Sequence, residues 1–527
     1  MNATLHHSDR AETSFGCRLP ALLAIFALLI GRSALAEEPP PNVVVFMVDD
    51  LGWQDVSYPF GPEVTEFNRR YHTPNLERLA RGGTVFTDAY SASPVCTPTR
   101  TAFLTGSHPA RTGITYWTLH ADRDTSTSHP RLVNPPWRLQ GLAEGDVTLP
   151  ALFQKAGYRT VHVGKAHFGA IGTSGADPTR LGFETNIAGH GPGGPGSFYG
   201  IHDFGAKKRR GQQGPSVWDV PGLQRHHGRD VYLTEVLADE TVNEIRKSRE
   251  DPRPFFVHFA PYAVHAPIMP NHRYLHRYED LPPREAAYAT MIETMDAALG
   301  RIIETLEELD LTDDTVVVFA SDNGGLSAHA RGGTPHVHNA PLRSGKGSAY
   351  EGGVRVPLVI AGPSRLGLHG DERRVPTPVS VMDLFPTLLD LAAIEVPTEH
   401  APAVDGRSLL GLLQPDDVQN AQPVRGLGWH MPHQWGAKGP GIEPFTSYRR
   451  GNWKLLYFHD GPRVELYDLQ SDLGETTNLA RRHPDVLRDL LIELDQWIHR
   501  TGADLSLDLV SNRPITTPAE FASRLPE

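Results

Sequence analysis

The pentapeptide Cys96-Thr97-Pro98-Thr99-Arg100 places a cysteine and an arginine four residues apart. Thr97 can cap a helix that begins at Pro98, and side chains four residues apart project from the same helix face. Cys96 and Arg100 would then converge near the positive N-terminus of the helix, which favours an anion. The spacing therefore predicts a site for a tetrahedral oxyanion. A buried cysteine beside a structural arginine is the alternative interpretation.

Four residues with oxygen ligands could hold a metal ion near this site. Asp49 and Asp50 follow one apolar segment, and Asp322 and Asn323 follow another. Carboxylate and amide oxygens suit Ca²⁺, and Mg²⁺ to a lesser extent, rather than zinc or copper. Such an ion would hold the oxyanion and lower the pKa of an attacking hydroxyl. A helix cap or a solvated turn is the alternative for a single Asp-Asp pair.

Two lysines and two histidines complete the candidate catalytic set, which adds Lys165, His167, His265 and Lys346. The lysines, together with Arg100, would offset the charge of the oxyanion in a low-dielectric cavity. One histidine can orient or deprotonate the nucleophile, and the other can protonate a leaving alcohol. Each of these residues, taken singly, is also compatible with a structural role.

Four short apolar segments precede most of these polar residues, at 43–48, 159–163, 254–260 and 315–320. Continuous apolar segments of this length are typical of strands buried on both faces of a mainly parallel sheet. Ligands of open α/β sheets bind at the carboxyl ends of the strands. The sequence therefore predicts an α/β fold in which the strand ends form a single site.

Helices and long loops are predicted between these strands. Residues 73–82 have a capping threonine, a proline at the first helical position and a terminal glycine. Residues 285–310 have apolar side chains at helical spacing. The segments 120–145 and 186–228 lack periodicity and are rich in glycine, proline and histidine, as is common in loops that shape binding sites.

The chain is predicted to divide into a signal peptide at 1–36, a catalytic domain at 37–420 and a C-terminal subdomain at 421–527. The signal has an apolar run after its arginines and an Ala-x-Ala-like cleavage site before residue 37, although an uncleaved anchor is the alternative. The subdomain is predicted to contain two antiparallel strands, one at 448–458 and one at 464–469, and a closing helix at 484–500.

Composition indicates an exported protein. The net charge of −12 is distributed along the chain, which argues against a nucleic-acid ligand. No segment after the signal could span a membrane. The mature chain would contain one cysteine. The only Asn-x-Ser/Thr sequon of the full sequence, at Asn2, lies within the predicted signal and would be absent from the mature chain. A bacterial periplasmic or cell-surface location fits this combination best.

The order of the motifs resembles that of the type I, formylglycine-dependent sulfatases over residues 42–480. The matching motifs are Val45-Phe46-Met47-Val48-Asp49-Asp50-Leu51-Gly52, Cys96 to Arg100, Gly164-Lys165-Ala166-His167-Phe168-Gly169, His265-Ala266-Pro267, Ser321-Asp322-Asn323-Gly324-Gly325, Gly345-Lys346-Gly347 and Glu351-Gly352-Gly353. The resemblance implies an alkaline-phosphatase-like fold with a mainly parallel central sheet flanked by helices, and a small antiparallel subdomain with a helix. The family usually has tryptophan where this chain has Ala166, and this smaller residue is expected to widen the wall of the binding pocket.

The resemblance also implies roles for the matching residues. Cys96 would be oxidised by a formylglycine-generating enzyme, and the hydrated aldehyde would be the nucleophile. One of its hydroxyls would attack sulfur, and the other would lose its proton to expel sulfate. The implied calcium ligands are Asp49, Asp50, residue 96, Asp322 and Asn323. The remaining roles are stabilisation of residue 96 and sulfate by Arg100 and Lys165, contact with the hydroxyl by His167, leaving-group protonation by His265, and sulfate binding by Lys346.

The substrate implied by the resemblance is a sulfated carbohydrate or an aryl sulfate. Segments 186–199 and 429–433 are similar to exo-acting sulfatases of galactose or N-acetylgalactosamine. The histidines of these segments, His190, His430 and His433, are therefore predicted to bind the sugar, with loop packing as the alternative. His336 and His338, which lie between Asn323 and Lys346 in the sequence, are predicted to line the same pocket. The basic run at 207–210 could attract a polyanionic glycan, but a solvated loop is the simpler interpretation.

Two other functions fit the same sequence. A phosphomonoester or phosphonate-ester hydrolase on this fold would use the same acidic strand ends. A glycan-binding protein without activity would result if Cys96 were never oxidised.

Overall fold

The computed structural model describes residues 39–414, 425–461 and 463–525. The predicted signal peptide at 1–36 and the predicted domain boundary at 420 lie outside these residues, and both remain predictions. Within the described ranges, every helix is too short or too polar to cross a bilayer.

The described residues form sixteen strands. In chain order they are β1 Asn42–Val48, β2 Thr84–Phe86, β3 Ala89–Tyr90, β4 Leu132–Val133, β5 Arg159–Gly164, β6 Thr185–Ile187, β7 Phe255–Ala260, β8 Thr315–Ser321, β9 Leu358–Ala361, β10 Arg373–Val375, β11 Val379–Ser380, β12 Gly426–Met431, β13 Phe445–Arg450, β14 Trp453–Phe458, β15 Arg463–Asp468 and β16 Leu507–Asp508.

The same residues form thirteen α-helices. They are α1 Glu66–Arg70, α2 Pro74–Arg81, α3 Cys96–Thr105, α4 Pro109–Thr112, α5 Leu149–Lys155, α6 Ala206–Arg209, α7 Leu233–Arg246, α8 Pro283–Glu308, α9 Glu351–Val354, α10 Leu384–Leu391, α11 Leu410–Leu413, α12 Pro484–Thr501 and α13 Pro518–Ala522.

A mainly parallel sheet of eight strands, in the order β10-β2-β9-β8-β1-β7-β5-β6, forms the centre of the fold. Only β9 runs antiparallel to its neighbours β2 and β8. Side chains of β1 alternate between two apolar layers: Val44 and Phe46 pack on one face, and Val43 and Val45 on the other. A strand buried on both faces needs the continuous apolar sequence seen here, which confirms the four predicted central strands.

Parallel register brings the ends of these strands to one edge of the sheet. Val48 of β1 pairs with Ser321 of β8, and Gly164 of β5 pairs with Ala260 of β7. The polar residues that follow all four strands therefore leave the sheet at the same edge.

The C-terminal part adds a four-stranded antiparallel sheet in the order β12-β13-β14-β15. Along β14, Leu455 and Tyr457 pack with α12, whereas Leu456 and Phe458 pack with Tyr90 and other residues of the large domain. The small sheet is thus apolar on both faces and lies between its own helix and the large domain.

Two local predictions require correction. Helix α3 begins at Cys96 and has Val95 as its N-cap residue, so Thr97 does not cap it. The Thr97 hydroxyl instead accepts a hydrogen bond from the Thr118 N–H at 3.2 Å. The predicted strand at 448–458 is two strands, because the chain turns at Gly451, where φ is +58°.

A buried ion cluster fastens the small sheet to α9. Lys454 on β14 lies 2.8 Å from Glu351 and 3.0 Å from Glu475, and all three side chains are fully buried. Glu351 also accepts hydrogen bonds from Tyr90 and Arg355. Helix α9 follows the loop that contains Lys346, so this cluster supports one side of the predicted site.

We expect Lys454→Met to lower the free energy of unfolding by about 3–5 kcal/mol, because two buried carboxylates would lose their shared cation. Urea denaturation measures this change. The matched control is Arg78→Gln, which removes an exposed ion pair with Glu307 and should cost less than about 1 kcal/mol. Equal losses in the two variants would contradict the role assigned to the cluster.

Candidate active site

Four potential metal ligands meet at the edge of the large sheet. One ligand atom from each of Asp49, Asp50, Cys96 and Asp322 lies within 4.8 Å of the others, and all four residues are buried. Asp50 has a positive φ of +61°, and its N–H donates to Asp322 Oδ1 at 3.1 Å. This uncommon backbone conformation, held by a hydrogen bond between the two strand ends, turns both carboxylates toward each other.

Several oxygens in this cluster have no protein partner among the described residues. They are Asp49 Oδ2, Asp50 Oδ2 and Asn323 Oδ1, and each is inaccessible to solvent. An unsatisfied buried oxygen costs about 1–3 kcal/mol, so three together indicate a cation. The hard oxygen donors fit Ca²⁺ or Mg²⁺, as the sequence predicted.

Three cationic side chains partly neutralise the carboxylates. Lys165 Nζ lies 2.6 Å from Asp49, Lys346 Nζ lies 2.6 Å from Asp50, and Arg100 Nε lies 2.7 Å from Asp322. Burial still raises the pKa of Asp49 to about 8, although Lys165 opposes that shift. The protein cations alone therefore do not keep Asp49 ionised at neutral pH, and a bound divalent ion would stabilise its charged form.

Cys96 lies at the first position of α3 and faces this cluster. Its Sγ is 3.7 Å from Asp49 Oδ1, and it accepts a hydrogen bond from Lys346 Nζ at 3.3 Å. Burial raises the pKa of the thiol to about 12, despite the nearby lysines. Because the thiolate is the nucleophilic form, an unmodified thiol here is poorly suited to attack an ester.

Arg100 is the cation that links the helix to the strand ends. Its side chain is fully buried, and its Nη1 donates to the Lys165 carbonyl at 2.9 Å. Its Nη2 lies 4.0 Å from Asp49 and has no hydrogen-bond partner among the described residues. A guanidinium with one free N–H group suits an anionic ligand.

His167 is held as a hydrogen-bond acceptor. Its Nε2 lies 2.8 Å from the Thr118 carbonyl, so Nε2 carries the proton and Nδ1 has the free lone pair. Burial, reinforced by Lys165, lowers the pKa of this imidazole well below its ordinary value, and it stays neutral. Nδ1 has no partner among the described residues. His167 can therefore accept a hydrogen bond from a nearby hydroxyl.

His265 is held in the opposite sense. Its Nδ1 donates to the Ala266 carbonyl at 2.7 Å, which leaves Nε2 3.7 Å from Asp50 Oδ2. To act as an acid, His265 must take up a proton on Nε2. Burial, reinforced by Lys346, lowers the pKa of this imidazole to about 3, although Asp50 opposes the shift. The side chain is 24% exposed, so it can reach a ligand that enters from solvent.

Both histidines pack against the insertion predicted at 186–228. A Cβ atom at Gly193 would overlap the His167 ring, and one at Gly194 would lie 2.9 Å from His265 Nδ1. Glycine is needed here because the backbone approaches the imidazoles closely. The insertion is therefore part of the active-site wall.

A cavity of about 180 Å³ opens over these residues. Cys96, His167, His265 and Lys346 lie in its polar part, and Trp117, Trp218 and Trp435 form much of its apolar wall. His329 lies beside Trp435, with ring centroids 5.7 Å apart. The sequence analysis did not identify the tryptophans or His329, because aromatic residues in loops have no periodic signal. Of these residues, only Trp218 lies in one of the two long loops predicted from the sequence.

The five predicted sugar-binding histidines are not among the residues that line this cavity. His430 bonds to Thr446 and to the Asp504 carbonyl, and His338 bonds to the Gly332 carbonyl. His433 bonds to Thr115, His190 packs edge-on against Tyr262, and His336 lies against Gly439. These contacts are internal to the protein, and the role of the five histidines in sugar binding stays a prediction.

Ala166 is buried in the apolar layer beside Phe168 and is also absent from the cavity lining. The structure gives no sign that this residue widens the cavity.

Known protein families match this chain over most of its length. The family model described as Sulfatase matches residues 41–394. This chain belongs to the sulfatase family. A second model, described as N-sulphoglucosamine sulphohydrolase, C-terminal, matches residues 345–500 of this sulfatase.

Relatives of this sulfatase include animal and bacterial enzymes. It is 30% identical to the N-acetylgalactosamine-6-sulfatase of Mus musculus over 80% of this chain and 76% of that protein. It is 28% identical to a sulfatase of Formosa agariphila over 91% of this chain and 94% of that protein. The solved structure of Ps i-CgsB matches with a TM-score of 0.71 and 25% identity, covering 88% of this chain and 93% of the other.

These findings confirm the predicted family and the predicted fold class. The sulfatase is a sulfuric ester hydrolase with the character of a glycan sulfatase.

The position of Lys346 depends on Gly347, where φ is +84° and a Cβ atom would overlap the Trp435 indole. We expect Gly347→Ala to lower kcat/KM by about 10²-fold, because a displacement of about 1 Å at catalytic groups has that effect. Steady-state kinetics on an aryl sulfate measure this loss.

Gly172→Ala is the matched control, because Gly172 has a φ of +80° and open space around its Cα. Both variants pay a similar cost of about 1–2 kcal/mol for the left-handed backbone, but only Gly347→Ala meets an indole. Similar activity in the two variants would show that the contact with Trp435 does not position Lys346.

Proposed function

We propose that this sulfatase removes sulfate from galactose or N-acetylgalactosamine residues of a glycan, acting from the chain end. The proposed nucleophile is the hydrated formylglycine made from Cys96, and the proposed metal is Ca²⁺. The main support is the convergence of residue 96, the unpartnered carboxylate oxygens and the two histidines on one cavity.

The nucleophile is proposed from the state of the cysteine. A buried thiol with a pKa of about 12 is a poor nucleophile, whereas a hydrated aldehyde offers two hydroxyls at the same position. His167 Nδ1 is the acceptor for one of those hydroxyl protons, because its Nε2–H is committed to the Thr118 carbonyl. A formylglycine-generating enzyme is the partner that this proposal requires.

Sulfate binding is assigned to the three cations. Arg100 has an unpartnered Nη2, and Lys346 Nζ lies beside the residue 96 side chain. Lys165 lies on the other side, 2.6 Å from Asp49. These side chains are buried, and preorganised charges in a dry site stabilise developing negative charge more strongly than they would in water.

Ca²⁺ would be held by Asp49, Asp50, Asp322, Asn323 and residue 96, where it would supply positive charge to orient sulfate and acidify a hydroxyl. His265 is assigned to the leaving group, since its Nε2 faces the cavity and lies near Asp50. A protonated Nε2 would donate to the ester oxygen as the alcohol departs.

The substrate is proposed from the relatives and from the wall of the cavity. Several curated relatives are N-acetylgalactosamine-6-sulfatases, and Ps i-CgsB has been solved in complex with k-i-k-neocarrahexaose. Tryptophan faces such as those of Trp117, Trp218 and Trp435 suit the apolar face of a sugar ring. Export to a periplasmic or cell-surface location, directed by residues 1–36, would bring the enzyme to such glycans.

We expect Cys96→Ala to lower the turnover of an aryl sulfate by at least about 10⁴-fold, because it removes the nucleophile. Protein matured in a converting host should contain an aldehyde at residue 96, detected by mass spectrometry of the peptide and by hydrazide labelling. Matched aryl phosphate should be hydrolysed far more slowly than aryl sulfate. Full activity in Cys96→Ala would exclude formylglycine catalysis, and a preference for phosphate would favour the phosphoesterase.

We also expect Ca²⁺ to raise the thermal unfolding midpoint of chelator-treated protein more than Mg²⁺ does. A ligand at 100 times its Kd stabilises the folded state by about 2.7 kcal/mol. Asp322→Asn should abolish this shift, because it weakens a carboxylate of the cluster. Asp313→Asn, at an exposed turn, is the control and should keep it. A shift that survives in Asp322→Asn would place the ion elsewhere.

A further inference from the structure

The insertion 186–228 contains a basic turn as well as part of the cavity wall. Gly193, Gly194 and Trp218 lie at the cavity or against its histidines. Between them in the chain, helix α6 and the next residue read Ala206-Lys207-Lys208-Arg209-Arg210. The same segment therefore contacts the catalytic histidines and presents four consecutive cations.

The basic turn is fastened directly to the cavity wall. The Ala206 N–H and the Ser216 N–H both donate to the Asp219 carboxylate, at 3.0 and 2.7 Å. Asp219 adjoins Trp218, and a Cβ atom at Gly196 would overlap the start of α6. From the His265 ring through Gly194 and Gly196, the chain path to Lys207 is less than about 20 Å. The basic turn therefore lies within about 20 Å of the cavity, and its cations are outside the residues that line it.

Most of these cations have no carboxylate partner within the described part of the chain. Lys208 forms the one ion pair of the turn, with Asp203 at 2.7 Å. Lys207, Arg209 and Arg210 appear in no ion pair. Arg209 is half-buried, and burial together with Arg210 lowers its pKa. Adjacent like charges that are not compensated raise the energy of the free protein and favour an anionic ligand.

The size of the cavity and the net charge of the protein indicate what kind of anionic ligand the basic turn would bind. A cavity of about 180 Å³ has room for little more than a sulfate and the ring that bears it, so further sugar units must lie outside. The chain has a net charge of −12, which would repel a polyanion in general. A local basic surface beside the entrance is what such a ligand would need.

We propose that Lys207, Arg209 and Arg210 form an outer subsite that binds the sulfate or carboxylate groups of glycan units beyond the one being hydrolysed. This proposal rests on the proposed function and deepens it. The substrate is then a polyanionic oligosaccharide rather than an isolated sulfated sugar. The cations contact only the distal units, so they affect binding of the long substrate and leave the chemical step unchanged.

The test is a comparison of a sulfated hexasaccharide with its sulfated monosaccharide. In Lys207→Gln/Arg210→Gln, kcat/KM on the hexasaccharide should fall about tenfold at low salt and approach the wild-type value at 0.5 M NaCl. On the monosaccharide it should stay within about twofold, because the charges removed lie outside the cavity. Glutamine keeps the helix propensity and much of the apolar stem of each side chain.

Arg481→Gln/Arg482→Gln is the matched control, since it removes two adjacent exposed arginines from the small domain. It should leave both substrates unaffected. An unchanged hexasaccharide value in the Lys207/Arg210 variant would show a solvated loop, and an equal loss in the control would show a general effect of net charge. Either result would overturn the subsite, as would an equal loss on the monosaccharide.

Binding in the Cys96→Ala background separates this proposal from the proposed function. Direct titration of the hexasaccharide should show the same tenfold loss of affinity, even if no turnover is found in the wild type. A single-stranded oligonucleotide of equal charge is the second probe. Suppose that the oligonucleotide binds as tightly as the hexasaccharide and loses affinity equally in Lys207→Gln/Arg210→Gln. In that case the turn is a general polyanion surface and the glycan subsite is wrong.

Discussion

The burial of three carboxylates at one edge of the sheet is the constraint on which the rest of the site depends. Asp49, Asp50 and Asp322 are completely shielded from water, and charged groups in such an interior must be paired or must bind a metal. Arg100, a buried guanidinium in α3, pairs with the carboxylate of Asp322 and so stabilises its charge. Lys165 and Lys346, on two other loops, pair with the carboxylates of Asp49 and Asp50 in the same way. The oxyanion site is thus built from the groups that make the carboxylate cluster tolerable.

The charge balance explains why the ligand is an anion. Three carboxylates face three protein cations, so the side chains alone are close to neutral. A divalent cation on the unpartnered oxygens would leave about two excess positive charges in a low-dielectric cavity. A sulfate ester, which has one negative charge, offsets part of this excess, and a neutral sugar does not. Affinity for the sulfate therefore comes from the metal cluster, while selection among sulfated sugars falls to the apolar wall and the surface outside it.

Much of the catalytic centre could be predicted from the sequence because it follows buried strands. A continuous apolar run such as 43–48 indicates a strand, and parallel strands bring the residues after them together. The start of α3 could not be placed correctly, because a threonine and a proline gave a capping signal two residues too late. The cavity wall could not be predicted either. Trp435 lies in the C-terminal part of the chain, and its neighbours in the sequence do not indicate that it packs on Gly347.

The C-terminal part of the chain also fixes the loop that contains Lys346. Trp435 leaves β12 and packs over Gly347, next to the lysine beside residue 96, while Lys454 on β14 holds Glu351 only five residues beyond Lys346. The loop between Lys346 and α9 is therefore fixed at both ends by the C-terminal sheet. A loop fixed in this way places its ammonium group without paying for ordering at each turnover. The two sheets must fold against each other for Lys346 to be preorganised, so the candidate active site depends on both of them.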